Sequence, residues 1–162
     1  MQTFLPYPDF ARSVALLDSK RLGKQRVETY QVLKAFKGLG GLHGGWSRHP
    51  AARMWWGCDL ALLRYQEVTI DEWRSRGFKD TCWEKSLALF TADELKHYKA
   101  GDYETPNWIG DPKLHETHRS VLSEKAPALY QQLFAADTRQ GLAYIWPGPS
   151  LEEAKRIQGV SI

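Results

Sequence analysis

Apolar residues in this chain return every three or four positions, and no segment alternates apolar and polar side chains convincingly over the length of a strand. A period near 3.6 belongs to a helix with one buried face, whereas a half-buried strand needs a period of two. The sequence therefore predicts an all-α fold. Asp9 is placed to cap a short helix from Phe10 that carries Ala11, Val14 and Leu17, and Asp18 stands where a second cap belongs. A long helix follows over residues 19–38, with Val27, Tyr30, Leu33 and Phe36 at helical spacing. Gly38, Gly40, Gly41, Gly44 and Gly45 mark a loop. Pro50 suits a first helical position, and the next helix is predicted to run on to Arg76 and stop at Gly77, with Met54, Cys58, Ala61, Leu62, Tyr65 and Val68 as its apolar stripe. Asp80 is placed to cap a helix through Leu89, and Thr91 and Glu94 have capping-box spacing. Residues 101–110, with Pro106 and Trp108, form a second loop. Asp111-Pro112 opens a helix to Ser123, Pro127 another ending near Phe134, and Ser150 and Glu153 repeat the capping-box spacing.

The 162 residues fit one domain with a sizeable core, and 43% hydrophobic residues argue against disorder. A net charge of +3 is mildly basic, compatible with a polyanionic partner. Cys58 and Cys82 are too few for a disulfide framework and read as buried thiols. The first residues lack the basic stretch and apolar run of a signal peptide, and no segment approaches the length of a membrane span. The expectation is a soluble, cytoplasmic, monomeric domain with no membrane partner. Seven tryptophans are many for this length.

The most informative stretch is residues 18–28, which set Lys20, Arg21, Lys24 and Arg26 against Asp18 and Glu28. Cations at a helix N-terminus suit phosphate contact, because backbone amides converge there too; the other reading is a solvated charged face. Positions 18, 21, 25 and 28 share a stripe that continues into apolar Val32 and Phe36. Asp18, Arg21, Gln25 and Glu28 thus begin on the side that becomes core, where ionisable groups line a cleft or pair with one another. Gly23 inside this helix costs about 1 kcal/mol against alanine, so it admits a close neighbour or packs against another helix.

Trp46, His49, Trp55, Trp56, Trp108 and Trp146 lie in or beside loops, near Arg48 and Arg53. Such aromatics stack on an extruded base, wedge into a duplex, or fill a core. Trp46 and Trp108, flanked by glycines, are the better wedge candidates. His115 and His118 share one helix beside Arg119 and are read as phosphate-binding or orienting groups, or as core histidines; no zinc-site spacing is present.

Three blocks resemble the pyrimidine-dimer DNA glycosylase family typified by phage endonuclease V, in the same order. They are the basic helix with Arg26-Val27; Leu60 to Arg64 followed by Arg76-Gly77-Phe78-Lys79-Asp80-Thr81; and Gly110-Asp111, Pro112, His115-Glu116, Leu122, Glu124-Lys125 and Tyr130. The string Lys20 to Val27 is similar to that of a divergent bacterial branch of the family. Residues Tyr144 to Pro147 and the last helix have no counterpart in the resemblance. The resemblance implies an all-α fold with the first long helix beside double-stranded DNA, excision of a damaged pyrimidine, and no metal or other cofactor. In the phage enzyme an N-terminal threonine amine attacks the anomeric carbon, assisted by a glutamate three residues before the Arg-Val pair.

Both catalytic groups differ here. Residue 2 is Gln2, a large side chain that normally blocks removal of Met1, so the available amine is that of Met1 unless trimming exposes Thr3, and the position of the glutamate is Gly23. The expectation is therefore a hydrolytic glycosylase with AP-lyase activity doubtful, Asp18 as first-choice carboxylate, Glu28 as second, and Gln25 holding the base or the water beside Arg21. Lys20, Lys24, Arg26 and Arg119 are expected to hold phosphates, and His49, Trp46, Trp108, His115 and His118 to contact the DNA. A missing side chain at Gly23 suggests room for a bulky pyrimidine, such as glucosylated hydroxymethylcytosine in phage DNA, and hence antiphage defence rather than repair of photodimers. The alternatives are a DNA-binding module without catalysis and a protein-interaction domain.

Overall fold

The computed structural model describes residues 1–37 and 45–157. The loop predicted at Gly38, Gly40, Gly41 and Gly44 lies outside the described residues. Within them the chain is helical with no strand: α1 (Phe10–Ala15), α2 (Ser19–Lys37), a 3-10 turn (Gly45–Arg48), α3 (Pro50–Arg53), α4 (Asp59–Ser75), α5 (Cys82–Leu87), α6 (Ala92–Ala100), α7 (Pro112–Lys125), α8 (Pro127–Phe134) and α9 (Leu151–Ile157).

Local chemistry accounts for most of the helix starts. Asp9 accepts from the Arg12 N–H at 2.6 Å, and Asp111 from the Lys113 N–H at 2.9 Å. Thr91 and Glu94 close a full capping box on α6, and Ser150 and Glu153 make the same reciprocal pair ahead of α9. Asp80 accepts from the Cys82 and Trp83 N–H groups and so starts α5. The predicted helix from Pro50 to Arg76 is in fact two. It breaks after Arg53 and restarts at Asp59, because Gly57 adopts φ 77° and the Trp108 indole N–H takes the Met54 carbonyl at 2.8 Å.

The two long helices α2 and α4 pack together; α1 and α5 flank them, and α7 pairs with α8. Leu22, Val32 and Leu33 of α2 meet Leu62, Leu63 and Tyr65 of α4 in a core that Trp55, Leu114, Leu122, Tyr130 and Phe134 complete. Cys82 is buried and Cys58 half-buried, both as free thiols. No helix among the described residues is long and apolar enough to cross a membrane.

Residues 2–6 are buried although they belong to no helix or strand. Such a segment in a core leaves its N–H and C=O groups without regular partners, so side chains must supply them. Gln25 accepts from the Phe4 N–H at 2.9 Å and donates to the Gln2 carbonyl at 2.6 Å. Tyr65 donates to the Phe4 carbonyl at 2.8 Å, and the Trp55 indole donates to the Thr3 hydroxyl at 2.8 Å. From α7, His118 Nδ1 accepts from the Leu5 N–H at 2.9 Å, His115 Nδ1 pairs with the Leu5 carbonyl at 2.8 Å, and Arg119 donates to the Pro6 carbonyl at 2.7 Å. Three helices thus hold the N-terminal segment along its backbone.

Candidate active site

The clamped segment delivers Met1, Gln2 and Phe4 to the wall of a cavity of about 420 Å3. Helix α2 supplies the facing wall with Arg21, Gln25 and Glu28, the inward stripe, and Lys20 and Lys24 beside it. His49, Lys125, Tyr144 and Trp146 close the remaining sides.

Glu28 is a half-buried carboxylate with no hydrogen-bond or ion-pair partner among the described residues. Burial raises its pKa above the usual glutamate range, against the opposing pull of the Met1 amino group and Lys24. Lys20, Lys24 and Lys125 likewise have no carboxylate in ion-pair reach among the described residues. The cavity mouth is therefore basic and uncompensated.

Asp18 is elsewhere. Its carboxylate accepts from the Tyr130 hydroxyl at 2.5 Å, from the Arg21 guanidinium at 3.0 Å and from the Arg21 backbone N–H at 3.3 Å, as the cap of α2. Burial works to raise its pKa, but the bonds from Tyr130 and Arg21 outweigh it and hold the group ionised. Asp18 does not line the cavity; of the two carboxylates on the stripe, Glu28 does. Arg21 lines the cavity while anchored to Asp18. Gln25 also lines it, but both ends of its amide are committed to Gln2, Phe4 and Tyr65, so it positions backbone and does not hold water or base.

Other expected contacts are corrected by burial. Arg26 leaves α2 about 200° round from Lys24 and pairs with Asp80 at 2.6 Å, over the Trp73 ring. It ties α2 to α5 and is not at the cavity. Trp108 is buried against Trp55, its indole bonded to Met54, where it cannot wedge. His115, His118 and Arg119 are buried in the clamp. His115 Nε2 accepts from the Gly110 N–H at 2.9 Å. With its other nitrogen on Leu5, this leaves no ring atom for phosphate or metal. Desolvation pushes the His118 pKa down to about 3, so the ring is neutral at any ordinary pH. Among the described residues no three His, Cys, Asp or Glu side chains converge as metal ligands would.

His49 stands at the cavity wall as the cap of α3, its Nδ1 accepting from the Ala51 N–H at 3.1 Å. Burial, then the Met1 amino group and Arg53, lower its pKa and keep the ring neutral. Trp46 lies beyond it, with ring centroids 6.5 Å apart, and Trp146 meets His49 edge-on at 6.0 Å. Gly23 does not line the cavity: a Cβ there would lie 3.0 Å from the Trp73 ring. The missing side chain at position 23 therefore gives no room for a bulky substrate.

Gln2, Lys125 and Tyr144 join the cavity without having been expected there from the sequence, and Trp146 is there as one of the loop aromatics. The aromatic pair in residues 144–147 was the available signal, but nothing in the chain's periodicity brings that segment to α2.

An all-α protein whose basic, aromatic cleft is closed by its own N-terminal segment has the parts of a small base-excision enzyme. Residues 1–85 match the family described as pyrimidine dimer DNA glycosylase, and the chain belongs to that family. That membership makes DNA its partner. No curated protein and no solved structure matches the chain.

Proposed function

We propose that the protein excises a damaged or modified pyrimidine, a photodimer in the first place, from duplex DNA by hydrolysis and leaves an abasic site. The observation that carries this reading is Glu28, a carboxylate with no partner among the described residues, inside a basic cavity of about 420 Å3, a volume in the range of ligand sites. Lys20, Lys24 and Lys125 hold the DNA backbone while the target nucleotide rotates out of the stack. As the bond from the anomeric carbon to the base breaks, the electron pair leaves with the base, and Glu28 stabilises the positive sugar. Water then adds to that carbon, its proton passing to Glu28. The biological setting of such a reaction is repair or antiphage defence.

The test is to incubate wild-type protein and Glu28→Gln with UV-irradiated DNA and with DNA carrying glucosylated hydroxymethylcytosine. Abasic sites are counted with an aldehyde-reactive probe, and strand breaks are read with and without an added abasic endonuclease. Abasic sites from one DNA, broken only by the added enzyme, and a loss of at least about 100-fold in Glu28→Gln with duplex binding retained are expected. Because Glu28 must be ionised and its pKa is raised, the rate falls on the acid side above the ordinary glutamate range. Breaks without the added enzyme, with a borohydride-trapped adduct at Met1, replace hydrolysis by an imine route. Duplex binding with no excision of either base leaves the non-catalytic DNA-binding module as the reading.

A further inference from the structure

Two residues that line the cavity each carry a buried polar atom with no partner among the described residues. Gln2 is buried, and its side-chain Oε1 accepts from the Thr3 N–H at 2.9 Å. The amide therefore cannot be turned over, and the unpartnered atom is Nε2, a donor. The Tyr144 hydroxyl is buried and also unpartnered, while its ring is held edge-on to His118 at 5.5 Å and against Trp146 at 5.1 Å. Next to Tyr144, His118 uses Nδ1 to accept from Leu5, so its ring proton sits on Nε2, a third buried donor without a partner. Native proteins pair nearly all buried polar atoms, and exceptions on two residues that line a cavity call for an explanation.

We propose that Gln2 and Tyr144 are specificity-determining residues, presenting hydrogen-bond donors to oxygen acceptors of the extruded pyrimidine. This rests on the glycosylase reading above. The acceptors are either the ring carbonyls of the base or the hydroxyl and ether oxygens of a substituent on it. Burial raises the Tyr144 pKa, so the hydroxyl keeps its proton. Gln2 lies inside the family-matched residues 1–85 and Tyr144 outside them.

Tyr144→Phe and Gln2→Met are compared with wild type on three duplexes, carrying a cis-syn thymine dimer, glucosylated 5-hydroxymethylcytosine, or a tetrahydrofuran abasic analogue that has no base to read. Tyr144→Phe removes an oxygen that has no partner in the free protein, so its melting temperature should hold or rise. A loss of roughly tenfold or more in kcat/KM on the excised base is expected, with unchanged affinity for the abasic duplex. A larger effect on the dimer assigns the ring carbonyls; a larger effect on the glucosylated base assigns the substituent. Unchanged kcat/KM, or an equal loss of abasic-duplex affinity, overturns the proposal. If wild type excises neither base, the glycosylase reading fails separately, and binding still decides: a preference for a base-containing over the abasic duplex that Tyr144→Phe abolishes supports the proposal, and no such preference overturns it.

Discussion

Gln25 holds Gln2 in place from 23 residues away, its amide donating to the Gln2 carbonyl at 2.6 Å while the same side chain accepts from the next-but-one N–H at 2.9 Å. A single buried amide from α2 thereby sets where the N-terminal segment meets the cavity. Gln25→Leu fits the volume but leaves one buried N–H and one buried C=O unpaired. It should cost about 2–4 kcal/mol, measured by urea denaturation, and should lower excision more than it lowers duplex binding. Retention of full stability would mean the segment is held without Gln25.

The basic residues of α2, together with Lys125 of α7, separate into two roles that a salt titration distinguishes. Lys20, Lys24 and Lys125 have no carboxylate partner among the described residues, so replacing all three by Gln should flatten the slope of log K against log salt by about 2.7, near 0.9 for each lysine. Arg26→Gln should leave the slope unchanged and instead destabilise the fold by about 3 kcal/mol, because the Asp80 side chain is fully buried.

His118 makes the fold sensitive to mild acid. Its folded pKa, pushed down to about 3, lies well below the value near 6.5 of an unfolded histidine. Between those values the unfolded chain binds the extra proton, so stability is fully present above about pH 6.5 and is lost as pH falls toward 3. Stability should drop by about 2 kcal/mol from pH 7 to pH 5. His115, also lowered by burial, acts in the same direction, and exposed His97, raised by Asp102, opposes it. Denaturation series at the two pH values, with His118→Gln showing the smaller difference, check this.

Restoring a glutamate at position 23 should not restore lyase chemistry. Its Cβ would press on the Trp73 ring at 3.0 Å, on a side of α2 away from the cavity. Gly23→Glu is expected to lose about 1–3 kcal/mol and to gain no borohydride-trapped intermediate. Appearance of such an adduct would place position 23 at the reacting carbon after all.

Much of the fold was legible in the sequence because its signals are local. Helical periodicity, the capping side chains of Asp9, Thr91, Asp111 and Ser150, and prolines at Pro50, Pro112 and Pro127 act within one turn, so residue order alone carries them. The inward stripe of Arg21, Gln25 and Glu28 was legible for the same reason. The single long helix predicted through residues 50–76 failed because Trp108, far along the chain, takes a carbonyl that a continuous helix would need.

Which of two carboxylates on that stripe faces the cavity was a tertiary matter. Asp18 is claimed by Tyr130 from 112 residues away, and Glu28 is left without a partner among the described residues. His115, His118 and Arg119 look like phosphate ligands by residue type, but the fold spends their hydrogen bonds on an N-terminal backbone that has no helix or sheet to satisfy it. Residue order accounts for the helices and for the chemistry available on each. Which polar groups are consumed in building the core, and which, like Glu28 and the lysines around it, line the cavity without a partner among the described residues, depends on groups brought together across long separations in the chain.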